Sequence, residues 1–276
     1  MLMSASFGAR PSPVWARLQG EGTSGLGFDL VNDAPRRQPE QHAPPVARLR
    51  VRYAKRGRAR FASHRDVARA FERALRRADV PMASTSGFNP HQRVSYANSS
   101  PTGAASEAEY LELALSRHCE PDAVRDALNA ALPDGIVVVD IVPAWPGGLA
   151  DALAASEWRL RVEGVPRPVL ERAVRSLLDA ERIEVERLTR NGVRAFDVRG
   201  AIIALAVESD DTLSLLSHHA APLVRPDDVL SALARIDPDF LPAQPPLLTR
   251  LAQGRWDGIS LADPFAGRGE ARRTGE

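Results

Sequence analysis

The segment RLRVRYA at 48–54 alternates Arg48, Arg50 and Arg52 with Leu49, Val51 and Tyr53, the period of a strand with one buried face. Gly57 then marks a turn, and Ala59 to Ala62 continue the pattern as a hairpin or an extended strand. Ser63 and Asp66 stand at the S-x-x-D spacing of a capping box, which opens a helix running to about Ala78. On that helix Val67, Phe71, Ala74, Leu75 and Ala78 share one side, and Arg65, Arg69, Arg73 and Arg76 gather on the other. Residues 93–97 and 109–116 alternate as two further strands across a loop rich in Ser, Pro, Gly and Ala. Pro121 starts a helix over EPDAVRDALNAAL with Val124, Leu128 and Leu132 aligned, and Asp134-Gly135 ends it before the apolar strand IVVVDIV. Strand, helix, strand, strand, helix, strand is the order of a ferredoxin-like unit.

A linker rich in Ala, Gly and Pro follows, and beyond it the pattern resembles a second copy. EWRLRVE reads as a strand, Pro168 to Ala180 as a helix, and RIEVERLT and VRAFDV as a hairpin across Asn191-Gly192. Ile202 to Val207 and Thr212 to Ser217 are further strands, PDDVLSALARI is a helix, and Leu247 to Gln253 a closing strand. The predicted class is α+β, with two tandem ferredoxin-like (βαββαβ) domains, the second elaborated. The boundaries are a disordered tail at 1–46, a first domain at 47–143, a linker at 144–156, a second domain at 157–256 and a disordered tail at 257–276. Both tails lack periodic apolar positions able to form a core.

Composition narrows the function. The 276 residues are 44% hydrophobic and 26% charged, ordinary for a globular chain. No apolar run is long enough for a membrane span, and MLMSASFGARPSPVW lacks the apolar core of a secretory signal. These features predict a cytoplasmic protein. Cys119 is the single cysteine, too few for a disulfide or a cysteine-held metal cluster. Charge is unevenly spread: Arg48 to Arg93 holds thirteen basic residues and three acids, leaving the rest of the chain at −9 against a net +1. Such asymmetry predicts an anionic partner for one end. Lys55 is the only lysine in the chain, so clustering carries more meaning here than arginine identity.

Nucleotide-binding loops, nucleophile elbows and zinc-protease motifs are absent from the sequence. His218 and His219 are neighbours on a strand and point to opposite faces, a poor pair for one metal. His64, Asp66 and His91 are the candidate acid–base groups. The turn TSGFNPHQRVSYA, 85–97, is richer than a connector needs. Phe88 suits stacking on a base, Asn89 a base edge, and His91 and Arg93 phosphate. The alternative is that Phe88 plugs the core and Asn89-Pro90 only turns the chain.

RFASHRDVARAFERALRRADVPMASTSGFNPHQRVSYANSSPTGAASEAEY resembles the radical-SAM-associated family of unknown function, whose members occur fused to radical SAM enzymes or encoded beside them. The resemblance spans about 48–256 and is carried by R-F-x-S-H-x-D, E-R-A-L-R-R-A and S-x-G-F-N-P-H. Two positions depart from the family pattern: Gln92 follows His91, and Gly200 replaces the proline of a D-I-R-P-like segment, where a proline is usual in both. The resemblance implies a radical SAM enzyme as partner, with S-adenosylmethionine and an iron–sulfur cluster on that partner and no cofactor in this chain. Three functions follow as expectations. The first is an RNA-binding accessory protein (tRNA or another structured RNA) working in RNA modification, with Arg65, Arg69, Arg73, Arg76, Phe88, Asn89, His91 and Arg93 as its contact residues. The second is an enzyme acting on a phosphorylated substrate through His64, Asp66 and His91. The third is a protein-interaction module.

Overall fold

The computed structural model describes residues 42–189 and 192–266. In the first half, Ala47–Lys55 (β1), His64–Arg77 (α1), Val94–Ala97 (β2), Ala105–Leu115 (β3), Pro121–Ala131 (α2) and Ile136–Pro143 (β4) follow one another. The second half adds Ala155–Arg161 (β5), Arg167–Asp179 (α3), Glu184–Thr189 (β6), Gly192–Asp197 (β7), Ile202–Ser209 (β8), Thr212–His218 (β9), Pro226–Ile236 (α4), Leu247–Trp256 (β10) and Leu261–Ala262 (β11). Among the described residues, four α-helices thus accompany a large mixed sheet. Its strand order is β4-β1-β3-β10-β5-β9-β8, with β2 on β3 and β11 on β10, while β6 and β7 form a separate hairpin.

Within each half the sheet pairs are antiparallel, and a parallel contact between β3 and β10 fuses the halves through Thr249↔Ala105 and Arg250↔Ser106. The alternation read from the sequence explains the cores. Leu49, Val51 and Tyr53 meet Phe71 and Leu75 of α1 and Leu128 of α2 in one cluster. Leu160, Leu213 and Leu215 meet Leu170 and Leu177 of α3 and Leu233 of α4 in a second. A third cluster gathers Tyr110, Val142, Leu149, Leu153 and Phe265.

The structure departs from the sequence reading at Gly57 and again past Trp256. Gly57–Phe61 is a 3₁₀ helix and not an extended strand. The chain also stays folded past Trp256: β11 pairs with β10, and Phe265 is 4% exposed. Positions 190 and 191 lie outside the described residues, as do 1–41 and 267–276, so the turn read at Asn191-Gly192, most of the N-terminal tail and half of the C-terminal tail fall outside them; the flanking register Thr189↔Gly192 is that of a hairpin.

Candidate nucleic-acid interface

Helix α1 is built by its own sequence. Ser63 caps it, its Oγ accepting from the Asp66 N–H at 3.2 Å while Asp66 Oδ2 accepts from the Ser63 N–H at 3.1 Å. The Ser63 hydroxyl, which donates to Asp66 Oδ2 at 2.7 Å, and then the Ser63 N–H, with Arg69 and Arg65 nearby, hold the Asp66 carboxyl below its ordinary range. The helix stops where Asp79 takes φ +50 and the Val80 N–H reaches back to the Leu75 carbonyl at 3.1 Å, a left-handed termination. Val67, Ala70, Phe71, Ala74 and Leu75 are buried, which leaves Arg65, Arg69, Arg73 and Arg76 exposed on the other side. Arg76 meets Glu72 at 3.6 Å; among the described residues Arg65, Arg69 and Arg73 make no ion pair.

Several other cations of the basic segment are already engaged. Arg48 and Arg50 share Glu112, Arg52 meets Asp263 and Arg56 meets Glu107. Arg60 and Arg77 donate to the carbonyls of Gly103 and Ala131. Among the described residues, the cations without an ion pair or hydrogen-bond partner on their side chains include Arg65, Arg69 and Arg73 of α1, with Arg58 before the helix and Arg93 after it.

The loop after α1 is the tip of a hairpin. Ser84 bridges Gln92, the Thr85 N–H donates to the His91 carbonyl at 2.9 Å, and the His91 N–H donates to Thr85 Oγ1 at 3.0 Å. Gly87 takes φ +132, a conformation side chains resist. These bonds leave 86–90 as the projecting end, with Phe88 78% exposed and Asn89, Pro90 and His91 exposed beside it. Arg93 is half-buried, its backbone engaged with Ala83 and Ala114. Sequence reasoning missed Phe61, read as part of a strand; it is 67% exposed, with the Arg60 guanidinium 5.6 Å from its ring centre.

The candidate acid–base groups separate. Asp66 is committed to its cap. His64 hydrogen-bonds through Nδ1 to Ser99 Oγ at 3.0 Å and lies edge-on to Tyr96 with ring centres 5.0 Å apart. Among the described residues no hydrogen bond or ion pair joins His91 to either. No group of three or more His, Cys, Asp or Glu among the described residues is arranged to hold a metal ion, and no helix among them is long and apolar enough to cross a membrane.

His64 also borders a cavity of about 520 Å³ shared by the two halves. Its polar lining includes Ser100 from the β2–β3 loop, Ser156 of β5, Ser217 of β9, His219, Asp227 of α4 and Arg250 of β10. These positions come from strands and loops distant in sequence. Their one sequence signal is a charge at Arg250 inside an otherwise strand-like run.

The described residues thus combine a mixed sheet, an exposed basic face on α1 and an exposed aromatic loop after it. A family model described as an uncharacterized protein conserved in bacteria (DUF2344) matches residues 48–226, and the chain belongs to that family. No curated protein matches the chain.

Proposed function

We propose that this protein is an RNA-binding accessory factor, engaging tRNA or another structured RNA through the α1 arginine face and the Phe88 loop. The observation that carries this reading is the exposure of Phe88, at 78%, on a loop held by its own hydrogen bonds. An aromatic ring this exposed adds nothing to the core, and a base stacked on it contributes about 1–3 kcal/mol. Arg65, Arg69 and Arg73, free of ion pairs within the described chain, offer charge for phosphates, and release of phosphate counterions drives such binding. The repeated strand order supports reading the halves as tandem ferredoxin-like units, the second elaborated by the β6–β7 hairpin. The resemblance carried by S-x-G-F-N-P-H supports a radical SAM enzyme as the partner that performs the chemistry on the RNA.

The test uses the full chain. Phe88→Ala is expected to leave the melting temperature within about 1 °C while weakening RNA binding roughly 5- to 150-fold, the equivalent of one lost stack. Replacing Arg69, Arg73 and Arg76 by Gln is expected to preserve helicity, weaken binding and flatten its salt dependence. Unchanged RNA affinity in both variants would refute the reading and leave the protein-interaction module in its place.

A further inference from the structure

The cavity between the halves has an unusual charge balance behind its wall. Lys55 and Arg250 are each 3% exposed, and the carboxylate buried with them is Glu109, 2% exposed. Glu109 is shared: Oε1 accepts from Arg250 Nη2 and Oε2 accepts from the Ser100 N–H at 3.0 Å. Lys55 is left with one long bond, Nζ to the Pro101 carbonyl at 3.4 Å, and Pro101 lines the cavity. Two cations against one anion in the interior leave a positive charge to be balanced, and buried charge is costly until it is paired. Burial, then Arg250 and Arg60, push the Lys55 ammonium below its ordinary pKa, against the pull of Glu109.

Three further observations concern the same space. Lys55 is the only lysine among 36 Lys and Arg residues, so the one compact ammonium of the chain sits where a guanidinium fork would need more room and more acceptors. Ser100, 8% exposed and lining the cavity, has a buried hydroxyl with no hydrogen-bond partner among the described residues. The rim carries Arg225 and Asp227, and the apolar wall is Trp158, Leu223 and Val224. Burial and the neighbouring Asp228 raise the Asp227 carboxyl, against the pull of Arg225. That carboxyl suits a ligand with hydroxyl or amine donors better than a bare anion, while the volume lies within the range of small-molecule sites.

We propose that this cavity binds a nucleotide, its phosphate drawn by the Lys55–Glu109–Arg250 cluster with Arg225, and its sugar and base held between Asp227 and the Trp158 wall. The nucleotide is either free or one residue of an RNA. This goes beyond the surface reading above and stands without it.

Full-length protein would be titrated calorimetrically with the four common ribonucleoside 5′-monophosphates, their nucleosides and inorganic phosphate. At least one nucleotide is expected to bind tenfold or more tightly than its nucleoside and than phosphate. Lys55→Met is expected to weaken that binding at least tenfold while leaving the ligand-free melting temperature unchanged or higher, an outcome a merely structural lysine would not give. Arg225→Gln, at an exposed rim position, gives the same answer should Lys55→Met fail to fold. Absence of binding by all four nucleotides, equal binding of nucleoside and nucleotide, or wild-type affinity in the folded variants would overturn the proposal. Displacement of the nucleotide by single-stranded RNA identifies the polymer as its source, and no displacement identifies the free nucleotide. The Arg69, Arg73, Arg76 triple variant is expected to bind the nucleotide normally. A loss there would show that the titration reads the α1 face and would also overturn the cavity site.

Discussion

His219 shows what one position can and cannot announce. His218 ends β9 exposed and the next residue, His219, is half-buried, so the unlike surroundings of the pair agree with the alternation read from the sequence. The partners of His219 were not legible there, because Leu153 stands 66 positions away. His219 Nδ1 lies 2.5 Å from the Leu153 carbonyl and 3.1 Å from Asn98 Nδ2, and Nε2 lies 2.7 Å from Ser156 Oγ, so polar partners enclose the ring on both nitrogens. Burial, then Arg250 and His218, lower its pKa against the opposing Leu153 bond. The sign of the pH effect follows. The unfolded chain takes up a proton near the ordinary histidine pKa of about 6.5, and the folded chain resists until lower pH. The stabilising contribution is complete above that value and declines as pH falls toward the folded pKa. Thermal melts from pH 7.5 to 5 should show wild type losing more stability than His219→Gln, which keeps a donor for Leu153; parallel curves would contradict the lowered pKa.

Elements whose determinants are local could be read from the chain, and α1 is the example: Ser63, Asp66 and the buried Val67–Phe71–Leu75 stripe lie within one stretch. Gly57–Phe61 failed for the opposite reason. Its alternating Arg and Ala positions fit a strand, but the chain there is fixed by distant backbone. The Arg56 N–H donates to the Gly135 carbonyl at 2.7 Å, and the Gly103 N–H donates to the Arg60 carbonyl at 2.8 Å. Gly135 has φ +85, and a Cβ there would stand 2.7 Å from the Arg56 carbonyl oxygen and 2.9 Å from Ala59 Cβ. Gly57 has φ +54 with nothing within 4 Å of such a Cβ. Gly57→Ala should therefore carry only the left-handed penalty of about 1–2 kcal/mol. Gly135→Ala adds a backbone clash and should be the more destabilising of the two in urea titrations. The reverse order would mean the 3₁₀ turn is not held against Gly135.

At the scale of the molecule, the two halves predicted as separate domains share one sheet, and the described residues belong to one compact unit. Nothing periodic in the sequence marks this join, because it rests on β10, the last long strand, lying parallel to β3 over only two register pairs. Buried polar contacts hold it: Arg250 on Glu109, Arg250 Nε to Ser106 Oγ at 3.4 Å, and Gln253 Nε2 to the Ala108 carbonyl at 2.6 Å. The charge balance then makes the three buried ions unequal. Arg250→Met leaves Glu109 with Lys55 as its counter-ion, and Lys55→Met leaves it with Arg250. Glu109→Gln instead leaves two buried cations facing each other with no carboxylate, the circumstance in which breaking a buried pair costs about 3–5 kcal/mol. Glu109→Gln is therefore expected to be the most destabilising of the three substitutions. Because Glu109 belongs to β3 and Arg250 to β10, the loss should loosen the join itself. Scanning calorimetry should show one transition for wild type, and a lower, broadened or divided transition for Glu109→Gln. Two resolved transitions in wild type would show that the halves unfold independently. A Glu109→Gln protein as stable as Lys55→Met would show that the interior holds no excess positive charge.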